Sequence, residues 1–243
     1  MPNSLVPLSF YGLSNSRIDY VIKSSVKFGC DYDYLIFFDS RGVSSEYEGS
    51  IADLLVRHFE RKNISFLLVN RPLEITTWCS LYNFLFTNKI MFNNLITNMG
   101  FVDFTPKKIE LSNEVCSQLS FRMKDVNYEV IFRQKYLLSN GRKESIYTIK
   151  YDKIYFEKIN SMIKKFDTVL INTPKVKEPI RLNRDRPKSF FEGLQDTISF
   201  NNSLSNASKI LNFSDFTTNE TFDGVHYTRV GNQIIFDEVR NVL

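Results

Sequence analysis

The chain is poor in the residues that staple or seed special sites. It has three cysteines in 243 residues, Cys30, Cys79 and Cys116, and no Cys-x-x-Cys pair. Scattered thiols in odd number exclude a disulfide framework and a thiolate zinc site, and reduced thiols fit a cytoplasmic protein. Only two histidines occur, His58 and His226, so any imidazole chemistry has few addresses. No apolar run approaches the 18 or so residues of a membrane span. The first residues, Met1-Pro2-Asn3-Ser4-Leu5, lack the basic and apolar regions of a signal peptide. A net charge of +4 is too mild to make nucleic acid the expected partner.

What is present is an ordinary globular composition, 43% hydrophobic and 24% charged. At this length most of the unfolded surface can be buried without disulfides. Phe (22) and Tyr (12) are abundant, which reads as compositional bias. One domain is expected over 1–243, with residues 1–33 as an N-terminal extension.

The patterning alternates. Tyr34 to Phe38 is an apolar run too short for a helix, ended by Asp39-Ser40-Arg41-Gly42. That is a buried strand followed by a turn. From Ser50 to Lys62 the apolar residues recur at helical spacing, with Ser50 as the cap. Ile64–Val69 reads as a strand, Leu73–Phe86 as a helix, and Asn94–Met99 as a strand stopped by Gly100. Residues 107–120 read as a helix. Tyr128–Leu138 and Glu144–Tyr151 flank Ser139-Asn140-Gly141, a hairpin signal, so 121–150 is read as a hairpin-like insertion. Ile154–Phe166 is a helix and Val169–Asn172 a strand. Residues 175–190 form a polar loop, 190–209 are helical in part, and Ile210–Phe213 is a short fifth strand. A helix from Arg229 to Val242, capped by Thr228, closes the chain. Such alternation requires crossovers, hence an α/β domain with a parallel sheet of about five strands.

In an open parallel sheet, ligands bind beyond the carboxyl ends of the strands. The segments there are Asp39 to Gly42, Asn70-Arg71, Gly100 to Asp103, Asn172-Thr173, and the turn holding Asp223 and His226. Ser40 is a candidate nucleophile, which needs a neighbouring base. His226 is the histidine placed to be that base. Asp223, three residues earlier, can hold the imidazole tautomer. His58 lies on the apolar face of a helix and reads as structural. The cluster Lys175, Lys177, Arg181, Arg184, Arg186 and Lys188 reads as a solvated basic loop. The sharper alternative is that Arg184 and Arg186 attract an anionic group, as in a sugar acid, a nucleotide-linked sugar or the phosphates of coenzyme A, so that the substrate is an anionic or acylated sugar.

These segments resemble the SGNH (GDSL-type) hydrolases. Phe37-Phe38-Asp39-Ser40 is similar to their first block, Gly-Asp-Ser at a strand end. Asn98-Met99-Gly100-Phe101-Val102-Asp103 is similar to their third block, Gly-x-Asn-Asp. Asp223-Gly224-Val225-His226 is similar to their last, Asp-x-x-His. The resemblance spans residues 34 to 243. It implies a three-layer α/β/α sandwich of flavodoxin-like fold, and ester chemistry without metal or organic cofactor. Ser40 would attack an acyl carbonyl, and His226 would carry the proton to the leaving alcohol. It also implies an oxyanion site made by the serine N–H, a glycine N–H after the second strand and the third-block Asn. Here the chain departs from the pattern. Phe38 stands for the first-block Gly, Val102 for the oxyanion Asn, and Asn70 to Thr77 contains no glycine. The Ile75 N–H, the Gly100 N–H, Asn98 or Arg71 are the substitutes. Three readings stay open: a serine esterase acting on an acylated carbohydrate or other small ester, an O-acyltransferase on the same fold, and a non-catalytic module binding a glycan or protein.

Overall fold

A computed structural model of the chain describes residues 21–25, 31–43, 47–71, 75–88, 90–137, 143–176 and 186–243. In chain order the elements are β1 (Val21–Ser24), β2 (Tyr32–Phe38), α1 (Ile51–Lys62), β3 (Phe66–Asn70), α2 (Trp78–Asn88), β4 (Phe92–Thr97) and α3 (Phe101–Phe104). Next come β5 (Lys107–Lys108), α4 (Ile109–Arg122), β6 (Tyr128–Leu137), β7 (Lys143–Tyr151) and α5 (Lys153–Ile163). The chain closes with β8 (Asp167–Ile171), α6 (Lys188–Ser203), β9 (Lys209–Leu211) and α7 (Arg229–Arg240).

The central sheet has six strands in the order β1-β3-β2-β4-β8-β9. The five from β3 to β9 run parallel, as the alternating pattern requires. The sixth, β1, is an antiparallel edge strand pairing Val21 with Asn70 and Ser24 with Leu67. It falls in the N-terminal stretch, where Arg17 to Phe28 reads equally as a short helix or a strand leading into the core, and the pairing with β3 decides for the strand.

The apolar run in β2 is explained by burial on both faces. Leu35 and Phe37 pack with Trp78, Leu81, Phe84, Val115 and Ile159 on the side of α2, α4 and α5. Ile36 and Phe38 pack with Leu55, Phe59, Ile235 and Val239 on the side of α1 and α7. His58 belongs to that second layer, its ring 5.9 Å from those of Phe59 and Phe236. Burial, then Arg61, Lys62 and Arg240, lower its pKa, consistent with a packing role.

Local signals set several boundaries. Ser50 caps α1, its Oγ accepting from the Asp53 N–H at 3.2 Å. Thr228 caps α7, its Oγ1 accepting from the Gly231 N–H at 3.2 Å. Tertiary contacts moved others. The helix read from Leu73 begins at Trp78, whose N–H is held by Asp103 Oδ2 at 3.2 Å; residues 72–74 lie outside the described residues. The helix read from 107 begins at Ile109, because Lys107 and Lys108 pair with Tyr147 and Ile146 of β7. The hairpin is present as β6 and β7, which with β5 make a separate antiparallel sheet. Its Asn140-Gly141 turn lies outside the described residues. No described helix is long and apolar enough to cross a membrane.

Candidate active site

The parallel strands end together, and their ends are tied by hydrogen bonds. The Arg71 N–H donates to the Phe38 carbonyl at 2.7 Å, joining β3 to β2. The Asp39 N–H donates to Asn98 Oδ1 at 2.9 Å, joining β2 to β4. Arg41 extends the tie to β8. Its Nε lies 3.0 Å from both Asp39 oxygens, its Nη2 2.8 Å from Oδ2, and its Nη1 2.6 Å from Thr173 Oγ1. Its Nη2 also donates to the Asn98 carbonyl, and its guanidinium lies 4.9 Å from the centre of the Phe101 ring. Both members of the pair are 1% exposed. Burial disfavours the charged guanidinium, but Asp39 and Tyr227 outweigh it and raise its pKa. Ser40 thus sits between two residues locked to one another.

The Asp223–His226 turn is formed by its own residues. Gly224 has φ +78°, a left-handed conformation that costs glycine little. Asp223 Oδ1 accepts from the Val225 N–H at 2.9 Å and the His226 N–H at 2.8 Å. The Phe222 N–H and Thr221 hydroxyl both donate to the His226 carbonyl, at 3.2 and 2.9 Å. Gly231, in the first turn of α7, lets the preceding turn approach closely. A Cβ there would meet the Glu220 carbonyl oxygen at 2.2 Å.

The two segments meet. Ser40 Oγ lies 3.3 Å from His226 Nε2, and His226 Nδ1 lies 2.9 Å from Asp223 Oδ2. The imidazole is stacked against Phe222, with ring centres 5.8 Å apart, and is 27% exposed. A hydroxyl, an imidazole and a carboxylate in this order can pass a proton from oxygen to nitrogen while the carboxylate holds the tautomer. Burial raises the Asp223 carboxyl, but its hydrogen bonds to His226, the imidazole charge and Arg186 outweigh this. The pKa falls to about 2.

The other residues singled out from the sequence occupy varied places. Asn98 is 2% exposed and committed to the frame through Asp39 and Arg41. Ile75 belongs to the core, and its carbonyl accepts from Ser80 Oγ at 3.3 Å and Gln118 Nε2 at 3.2 Å. Arg71 has φ +44°. Gly100 is buried, and its carbonyl accepts from the Asp103 N–H at 3.1 Å. Val102 is half-buried in α3, against apolar side chains. Asp103, fully buried, ties α2 to α5 through Trp78 and the Tyr155 hydroxyl. Arg184 lies outside the described residues. Arg186 is placed on Asp223: Nη2 lies 2.9 Å from Oδ2, and Nε donates to the Asp223 carbonyl at 3.0 Å.

Arg41 went unread in the sequence. The only signal was its i, i+2 spacing from Asp39 across Ser40, and spacing does not reveal that both side chains turn inward. Arg186 was read as part of a basic loop because its partner lies 37 positions away.

No protein-family model matches the chain, and no curated protein does. Solved structures do. A gut microbial diltiazem-metabolizing enzyme is 12% identical over 89% of this chain and 48% of its own, with a TM-score of 0.50. An acetyl xylan esterase is 14% identical over 86% of this chain and 99% of its own, with a TM-score of 0.49. A psychrotrophic esterase from Pseudoalteromonas sp. is 13% identical over 86% of this chain and 95% of its own, with a TM-score of 0.39. At such identities the likeness is one of fold. The expected α/β architecture with a parallel central sheet is borne out.

Proposed function

We propose that this chain is a serine ester hydrolase of the SGNH type, with Ser40 as nucleophile, His226 as base and Asp223 orienting the imidazole. The observation that carries this reading is the line of contacts from Ser40 Oγ to His226 Nε2 at 3.3 Å and from His226 Nδ1 to Asp223 Oδ2 at 2.9 Å.

The steps follow from those atoms. Ser40 Oγ attacks the acyl carbon while its proton passes to His226 Nε2. The tetrahedral intermediate collapses, and His226 returns the proton to the leaving alcohol. Water, deprotonated by the same nitrogen, then attacks the acyl-serine; the second intermediate collapses, His226 returns the proton to Ser40 Oγ, and the acid is released. The developing oxyanion needs donors preorganised on the opposite side. We assign these to the backbone N–H groups of Ser40 and Gly100, since Val102 has no donor in its side chain. A missing side-chain donor typically costs about 100- to 1,000-fold in rate, so modest turnover is expected. The substrate is a small acyl ester, with acylated carbohydrates the first class to try.

A fluorophosphonate probe tests the assignment. It should label the wild-type chain on Ser40, and should not label Ser40→Ala or His226→Ala. A folded wild-type chain that stays unlabelled overturns the reading in favour of a binding module. Product analysis with an added acceptor alcohol separates hydrolysis from acyl transfer.

A further inference from the structure

Arg186 takes no part in the steps above, yet it is bound to one of their residues. It lies directly before Pro187, the N-cap of α6. Its two bonds to Asp223 engage both the backbone carbonyl and the carboxylate. The guanidinium lies 4.6 Å from the centre of the Phe190 ring, a contact that holds the planar cation. The paired side chains are only 13% and 10% exposed, so solvent screens them weakly.

The oxygen that receives Arg186 Nη2 is the one that receives His226 Nδ1. The other oxygen is filled by two backbone N–H groups of the turn. One carboxylate therefore serves a permanent cation and an imidazole that gains and loses charge. A cation on the carboxylate offsets part of the field that would favour a protonated imidazole. Among the described residues, the charged and titratable groups facing this site come from two further elements. Asp39 and Arg41 face each other and Tyr227 on the strand side, Ser40 presents its hydroxyl, and Phe222 covers one face of the ring.

We infer that Arg186 is a positioning residue for the proposed base: from the start of α6 it fixes the Asp223 carboxylate and limits how strongly that carboxylate draws a proton onto His226. The inference rests on His226 being the base, but its claim about the imidazole can be read without turnover.

The chain has two histidines, so NMR of the full-length protein can follow both rings, with His58 as an internal reference. In Arg186→Gln the His226 titration midpoint should rise by about 0.5–1 pH unit relative to wild type, while that of His58 stays put. Arg186→Met deletes the charge but keeps an apolar contact with Phe190, and should give the same rise if the Gln variant does not fold. Arg186→Lys keeps the charge and should stay close to wild type. The acid limb of kcat/KM should move with the imidazole. A purely structural role would instead lower kcat/KM evenly across pH. An unmoved His226 midpoint in a folded charge-deleting variant overturns the inference, as does an equal rise in the Lys variant. If the midpoint rises but the wild-type chain cleaves no ester, the catalytic reading fails, and what stands is the coupling of Arg186 to the His226 imidazole through Asp223, with no base to position. If the enzyme is active and the midpoint does not move, this one alone fails.

Discussion

Asp39 adjoins Ser40 in the chain and Asp223 reaches it through His226, and each is held by an arginine. The Asp39–Arg41 pair is sealed, 1% exposed on each side, and reaches Thr173 and the Asn98 carbonyl as well. It binds the ends of three parallel strands into one frame. The Asp223–Arg186 pair is 10–13% exposed and shares its carboxylate with an imidazole. A sealed, fully bonded pair is a poor switch, because changing its charge leaves the partner buried and uncompensated. A pair at the rim can respond to a neighbour that titrates. The same two residue types thus hold geometry in one place and touch the proposed chemistry in the other.

The largest expected effect separates the two aspartates by rate. Asp223→Asn should lower kcat for a short acyl ester by about 10⁴-fold, near 5.5 kcal/mol of transition-state stabilisation, through loss of the tautomer that Nδ1 must hold. Asp39→Asn should lose its activity through unfolding, with kcat of the folded fraction much less affected. Steady-state kinetics combined with urea melts reads both. Equal kcat losses in folded protein would erase the distinction.

The second effect separates the two arginines by stability. Arg41→Ala leaves a buried carboxylate alone and should cost about 3–5 kcal/mol in urea unfolding. Arg186→Ala, where water can reach the carboxylate, should cost under about 2 kcal/mol. Similar costs would show that the two pairs are equally structural.

The third and smallest effect is a pH dependence with opposite signs at two carboxyls. Asp103 carries no arginine. Burial raises its pKa to about 7, against the opposing pull of Tyr155, the Trp78 N–H and Lys107. Between about pH 4 and 7 the folded state therefore holds a proton that the unfolded state has lost, and stability falls as pH rises. The change should be about 2–4 kcal/mol, and Asp103→Asn should flatten it. Asp223 runs the other way. Its pKa of about 2 in the folded state lies below the unfolded value of 3.8. Its contribution is present above about pH 4 and is lost as pH falls towards 2, about 1–2 kcal/mol once its partial exposure is discounted. Thermal melts across pH 2–7 for wild type, Asp103→Asn and Asp223→Asn resolve the two terms. A wild-type profile with no decline between pH 4 and 7 would refute the Asp103 assignment.

Much of the architecture was legible because it rests on patterns local to each segment. The run from Tyr34 to Phe38 could only be a strand buried on both faces. Ser50 and Thr228 announced their helices, since a hydroxyl cap acts within three residues. The turn from Asp223 to His226 could be read as a unit because its hydrogen bonds lie inside six residues, Thr221 to His226. Elements defined by partners elsewhere were misjudged. Lys107 leaves its helix for β7, and α2 starts where Asp103 meets it, while β1, open between helix and strand, was decided only by its pairing with β3. The site divided the same way. Ser40, Asp223 and His226 could be named from spacing and topology, whereas Arg41 and the true neighbour of Arg186 could not.

The sequence by itself therefore determined the α/β alternation, the placement of a hydroxyl and an Asp-x-x-His turn at strand ends, and the absence of a Gly-x-Asn-Asp oxyanion segment, because periodicity and turn chemistry are short-range. Only the tertiary structure decided which charges meet. Charge pairing depends on side-chain direction and burial across separations such as the 37 positions between Arg186 and Asp223. A linear pattern carries no record of which of two arginines is sealed beneath Ser40 and which shares the carboxylate of His226.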